Sequence, residues 1–287
     1  MIADNEANVV YVADTLEWRF PSVFEGLRTI LEKHGIPFRT IRGTRDVWCR
    51  DYLPIQVTED RFVQFRYSPD YLTGKYKHLR ADGEIGPTLP FIRNCVRSEI
   101  VLDGGNVVGR GDRAIVTDKV LCENPGRPRS QLFHELKDAL NLRELIVIPQ
   151  EPLDPIGHSD GMVRWLDDRR VVVNDYRDIG ERFRSRMLRS LERFRLEPIE
   201  IPYCPQNGGR GGISSAVGNW ANFLHVGGLI ILPIFGLEDD QTVLQKLRER
   251  CPQNAIEGVV CRDLAEEGGV VNCVTWQVNR APAGHVG

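Results

Sequence analysis

The sequence predicts an α/β fold in a single domain spanning residues 1–287. Three observations lead there. Short apolar runs of strand character alternate with helix-like segments along the whole chain. The strand–helix–strand unit recurs roughly every 50 to 60 residues, with no repeat in the sequence itself. No linker or low-complexity tract divides the pattern. Composition agrees. Of 287 residues, 41% are apolar and 27% charged, with a net charge of −3. That profile suits a globular chain and excludes one that holds nucleic acid through bulk charge.

Taken in order, Asn8–Ala13 is an apolar run of strand length. Phe24–His34 is a helix that stops at Gly35, and the strand Ile36–Ile41 follows it. Phe62–Tyr67 and Ala114–Thr117 are strands rich in β-branched and aromatic residues. Ser130–Leu140 reads as a helix, with Ser130 as N-cap and Leu132, Phe133, Leu136 and Leu140 on one face. Strands follow at Leu145–Ile148, Met162–Trp165 and Arg170–Val173. Glu181–Arg195 is a strongly basic helix, expected to be a solvated face. Ile199–Ile201 and Leu229–Leu232 are strands, Asp239–Cys251 a helix, and Ala255–Val260 the last strand.

The longest apolar run, Val226–Phe235, is too short for a membrane span. Met1–Glu6 carries neither a basic nor an apolar leader, so a cytoplasmic protein is expected. Seven scattered cysteines without CxxC spacing argue against a disulfide framework and a zinc site. Gly104-Gly105 and Gly208–Gly212 are glycine-rich, yet neither forms a dinucleotide-binding fingerprint, and no phosphate loop is present.

Four segments carry chemistry. In Arg45–Pro54, Asp46 and Asp51 stand beside Trp48, a combination that suits a flat cation. Leu102–Asn106 sets a glycine pair between Asp103 and Asn106, which allows close backbone approach to a ligand or positive φ. In Asp154–Gly161, His158 and Asp160 are two apart and share one side of an extended segment, as a base and its charge partner would. Cys273 follows Gly268-Gly269 and becomes a nucleophile only near a base or a cation. Each segment alone also reads as ordinary structure: an Arg–Asp turn, a loop, a core histidine, a buried thiol. Together they supply a cation clamp, a base and a soft nucleophile, with no metal set.

The order of these motifs resembles the guanidine-modifying enzymes, in the agmatine deiminase and bacterial peptidylarginine deiminase branch. That family reads WxRDxGP, EGGN, an Asn-Pro loop, GHxD, SYxNF and GGGxxHCxTQ. The corresponding segments here are Trp48–Pro54, Asp103–Asn106, Asn124-Pro125, Gly157–Asp160, Asn219–Phe223 and Gly268–Gln277. The resemblance implies a five-bladed α/β propeller of pseudo-symmetric ββαβ units around a central active site. It implies that Asp51 and Asp160 bind the guanidinium nitrogens, with Asn106 also at the substrate, and that Trp48 packs on the substrate stem. Cys273 would attack the guanidinium carbon, His158 would shuttle protons, and Asp103 would orient His158. No metal or organic cofactor is implied. The partner is a small guanidinium substrate, with neither nucleic acid nor membrane, and the chemistry borders on putrescine and polyamine synthesis. A homodimer is compatible with it.

Three departures stand out. The EGGN glutamate is Asp103, the residue before the nucleophile is Asn272 where the family has His, and the RDxGP glycine is Leu53. Leu53, with Tyr52, is expected to narrow or reshape the entrance. Hydrolytic deimination of agmatine, arginine or a related guanidine is the leading reading. An amidinotransferase would use the same residues, and a non-catalytic guanidinium-binding protein is the third alternative.

Overall fold

The computed structural model describes residues 1–152, 154–204 and 213–281. Five three-stranded sheets follow one another along the chain. The first is built on β1 (Val9–Ala13) and β2 (Phe38–Ile41), parallel strands joined by α1 (Asp14–Arg19) and α2 (Pro21–Lys33). After the short α3 (Cys49–Tyr52), the second sheet holds β3 (Ile55–Gln56), β4 (Arg61–Arg66) and β5 (Asn94–Val101), with 3-10 turns linking β4 to β5. The third holds β6 (Val108–Arg110) and β7 (Arg113–Thr117), then α4 (Lys119–Glu123), α5 (Arg129–Leu140) and β8 (Glu144–Ile148). The fourth holds β9 (Val163–Trp165), β10 (Arg170–Asn174), α6 (Glu181–Glu192) and β11 (Glu197–Ile201). The fifth holds β12 (Leu224–Val226), β13 (Leu229–Ile234), α7 (Asp239–Arg250) and β14 (Ala255–Val260). After α8 (Arg262–Ala265), β15 (Thr275–Val278) pairs antiparallel with β1 and completes the first sheet.

One topology repeats throughout. In each sheet the middle strand pairs antiparallel with its inner neighbour and parallel with its outer one. The parallel pair needs a crossover, which a helix supplies in four of the five units. This is the ββαβ repetition expected of a five-unit architecture. The middle strands β1, β7, β10 and β13 are buried along almost their whole length, so they read as continuous apolar runs. Pro198 is tolerated because β11 is an edge strand.

Local chemistry sets the helix limits. Pro21 occupies the first turn of α2, and Gly35 (φ +67°) ends it as expected. The expected N-cap at Ser130 is a correction. Arg129 already belongs to α5, Pro128 leads into it, and Ser130 lies inside the first turn with no capping bond from its hydroxyl. The basic helix is likewise shorter than expected, ending at Glu192 before the chain reverses at Arg195 (φ +59°). Its face is only partly solvated, because Met187 and Leu191 are fully buried against β8 and β10. Among the described residues no helix is long and apolar enough to cross a membrane. The glycine-rich run Gly208–Gly212 lies outside the described residues.

Candidate active site

Each inner strand is preceded by a short lead-in, and the five lead-ins converge. Asp51 on α3 comes four residues before β3. Asp103 and the turn Gly104–Asn106 precede β6, and His158 with the turn Ser159–Gly161 precedes β9. Asn219–Phe223 leads into β12, and Asn272-Cys273-Val274 into β15. The sheets therefore act as spokes that deliver polar side chains to one hub.

Glycines let the lead-ins touch. A Cβ on Gly105 would lie 2.4 Å from Asp51 Oδ1 and 2.7 Å from His158 Nδ1, and one on Gly104 would lie 2.1 Å from the Arg50 carbonyl. Close approach to neighbouring segments, rather than positive φ, is why both are glycine. The Gly105 N–H donates to Asp51 Oδ1 at 3.2 Å, and the Arg50 N–H donates to the Cys273 carbonyl at 3.2 Å.

His158 sits between two carboxylates. Its Nδ1 is 3.4 Å from Asp51 Oδ1, and its Nε2 is 3.2 Å from Asp103 Oδ2. The Tyr71 hydroxyl donates to that same Asp103 oxygen at 2.8 Å. Burial alone would push the imidazole pKa down, but the two carboxylates outweigh it and hold His158 well above its ordinary value. Burial lifts the Asp51 carboxyl to about 6, against the pull of His158. The expected pairing of His158 with Asp160 on one extended segment is a correction. The 3-10 turn Ser159–Gly161 separates them, so that His158 meets Asp51 and Asp103 while Asp160 faces Asn272 and Cys273.

Cys273 Sγ lies 3.3 Å from Asn222 Oδ1 and 4.0 Å from Asp160 Oδ2. Asn272 Nδ2 donates to Asp160 Oδ2 at 2.7 Å. Burial first, then the charges of Asp160 and Asp51, push the Cys273 thiol well above its ordinary value. These surroundings favour the thiol over the thiolate.

Asp51, His158, Asp160, Cys273 and Trp48 all line one cavity, of about 660 Å³ counting its open mouth. Asp46, Asp154 and Glu267 add further carboxylates to its wall, and no Lys or Arg is among the described lining residues. Arg19 pairs with both Asp46 (3.2 Å) and Glu267 (2.5 Å) from outside that lining. Asp103 is not in the lining and supports His158 from behind.

Two expectations are corrected. Asn106 does not line the cavity; its Oδ1 accepts from the Thr117 and Ser159 N–H groups at 2.8 and 3.2 Å, which ties two lead-ins together. Leu53 and Tyr52 do not shape the entrance; both are buried in the apolar cluster of the first two sheets, with the Tyr52 hydroxyl on the Asp46 carbonyl. Sequence reasoning missed Tyr71 and Asn222 as site residues. Asn222 lies inside a quoted motif, and an asparagine in an apolar run demands a buried partner. Tyr71 has no such signal. Both nitrogens of His158 face carboxylates, and no metal-binding group of three or more His, Cys, Asp or Glu exists among the described residues.

Comparisons with known proteins bear on the family and the fold. A curated relative from Vibrio parahaemolyticus, named "Putative agmatine deiminase", is 24% identical over 272 residues, covering 81% of this chain and 75% of its own length. The solved agmatine deiminase of Enterococcus faecalis superposes with a TM-score of 0.79 at 18% identity, covering 98% of this chain and 95% of that one. An amidinotransferase from Microseira wollei superposes at a TM-score of 0.62 with 14% identity, covering 98% and 97%. Residues 1–279 match the sequence pattern of one family. The chain belongs to the Porphyromonas-type peptidyl-arginine deiminase family.

Proposed function

We propose that the protein hydrolyses a small guanidinium substrate to a ureido product and ammonia, with agmatine as the leading candidate. The observation that carries this reading is a thiol beside a carboxylate, in a cavity that also holds a doubly paired imidazole and has no Lys or Arg among its described lining residues. A guanidinium is planar, permanently charged and a fork of donors. Asp51 and Asp160 accept its N–H groups, and Trp48 packs along its stem. Arrival of the cation offsets the two charges that raise the Cys273 thiol, so the thiol gives its proton to solvent at the open mouth of the cavity as substrate binds. The thiolate attacks the guanidinium carbon and forms a tetrahedral adduct.

His158, protonated between Asp51 and Asp103, gives its proton to the departing ammonia. The amidino group remains on sulfur. Neutral His158 then takes a proton from water, whose oxygen attacks the same carbon. Collapse of the second adduct breaks the C–S bond, sulfur leaves with the electron pair, and the proton shed by the adduct's hydroxyl returns to it, restoring the Cys273 thiol as the ureido product departs. Since the five lead-ins together make the site, the whole chain acts as one catalytic unit.

Agmatine suits the carboxylate-lined wall, whereas arginine would bring a carboxylate of its own. The names of the Vibrio and Enterococcus proteins support the same choice. The test is a panel of agmatine, arginine, methylated arginines and an arginine peptide, with and without an added amine. Wild-type protein should form ureido product from agmatine without any amine. Cys273→Ala should bind agmatine yet lose turnover by more than about a thousand-fold. Turnover surviving in that variant would remove Cys273 as the nucleophile. Product that appears only with an amine would replace hydrolysis by amidino transfer.

A further inference from the structure

On the outer side of the third and fourth sheets, two adjoining depressions share Arg193. Together they are lined by eight arginines and four carboxylates, in a molecule whose net charge is −3. Half of these arginines are neutralised. Arg113 pairs with Glu144, Arg143 with Asp112, Arg169 with Glu197 and Arg186 with Asp118. The other four, Arg129, Arg189, Arg193 and Arg195, form no ion pair among the described residues, although Arg129 lies over the Phe133 ring at 5.2 Å and Arg189 Nε donates to the Ser185 carbonyl at 3.0 Å. They come from different segments: the start of α5, the last turn of α6 and the reversal after it. The result is a concave site rather than a stripe on one helix.

The backbone adds an independent observation. Three helices end in the same way, with a residue in the left-handed region and an N–H returning to a carbonyl five residues back: Ile36 to Leu31, Leu142 to Lys137 and Leu196 to Leu191. The left-handed residue is Gly35 after α2, Asn141 after α5 and Arg195 after α6. Glycine and asparagine are the usual occupants of that position. A long side chain carries a backbone cost there. Arg195 bears that cost while placing an unpaired guanidinium in the depression.

We infer that these depressions form a binding site for a small anion carrying two or more phosphoryl groups. A guanidinium fork matches phosphate oxygens two at a time. Four guanidinium forks without a carboxylate partner, one of them Arg193 shared by both depressions, suit more than one phosphoryl group. An extended polyanion would also meet the negative charge of the remaining surface. This site is separate from the hub and does not depend on the deiminase reading.

The test is calorimetric titration of the full chain with inorganic tripolyphosphate at low and at physiological salt. Wild type should bind saturably with one equivalent, more weakly as salt rises. The Arg193→Gln, Arg195→Gly double variant should lose about ten-fold or more in affinity, while Arg42→Gln on the first unit should lose none. Deiminase turnover should be unchanged in both. Arg195→Gly alone should raise the melting temperature by about 2 °C as the backbone relaxes. Absence of saturable binding by wild type, or equal binding by the double variant, would overturn the site. A single-stranded oligonucleotide or an acidic peptide binding here ten-fold more tightly than tripolyphosphate would overturn the small-ligand assignment.

Discussion

At the scale of single residues, the hub depends on charges placed around one imidazole. The carboxylates of Asp51 and Asp103 outweigh burial and raise the His158 pKa. Replacing Asp103 with Asn removes one of those charges, so the His158 pKa falls. A reaction that needs protonated His158 should then lose its alkaline limb at lower pH in a kcat profile. Asp103→Glu restores the charge and should restore that limb. Gly105 is the second sensitive point. An alanine Cβ would sit 2.4 Å from Asp51 Oδ1, so Gly105→Ala should cost about 1–3 kcal/mol of stability and nearly all activity. Denaturant unfolding and steady-state rates would show both.

The candidate nucleophile, the clamp and the proton carrier are legible in the sequence because their residue types are chemically distinctive and appear in a fixed order. Asn106 is easily misread because an amide on a glycine turn serves a ligand or a backbone equally well. Tyr71 is invisible there because its loop gains meaning only when it folds against Asp103 at 2.8 Å.

At the scale of elements, burial decides what can be read. Four of the five middle strands, β1, β7, β10 and β13, stand out as apolar runs, and β4 as a run of Phe and Val broken by Gln64. All five inner strands, β3, β6, β9, β12 and β15, are only two to four residues long, and β9 alone is read from the sequence as a strand. A segment that short has no measurable alternation. The second unit also lacks a crossover helix, and its 3-10 turns at Gly74–Glu84 carry no apolar periodicity. Helix ends are legible where glycine marks them. Gly35 has φ +67°, and a Cβ added there would meet nothing within 4 Å, so Gly35→Ala isolates the backbone contribution. It should cost about 1–2 kcal/mol, seen as a lower denaturant midpoint with an unchanged slope.

At the scale of the whole molecule, buried carboxyls shape the pH dependence of folding. Glu151, behind the cavity wall, accepts from the Tyr203 hydroxyl at 2.7 Å, and burial lifts its pKa to about 7. A raised folded-state pKa means that the folded state holds the proton more tightly. Its contribution is therefore complete below the unfolded value of about 4.5 and is lost as pH climbs through about 7. Melting temperature should fall across that window in wild type and fall less in Glu151→Gln. Five-fold convergence itself is not visible in the sequence, because the units share topology and no residues. Only the order of motifs implies it.

The pairing of β15 with β1 sets Val278 opposite Val9. The first and last strands among the described residues are thus neighbours in one sheet. A short bridge between them would turn the molecule into a closed loop that could be cut elsewhere. The cut belongs in the hairpin turns, such as Asp167–Arg169 between β9 and β10, since the inner strands carry those turns away from the hub. Such a circular permutant should fold and keep its chemistry, whereas one opened within a lead-in should lose it.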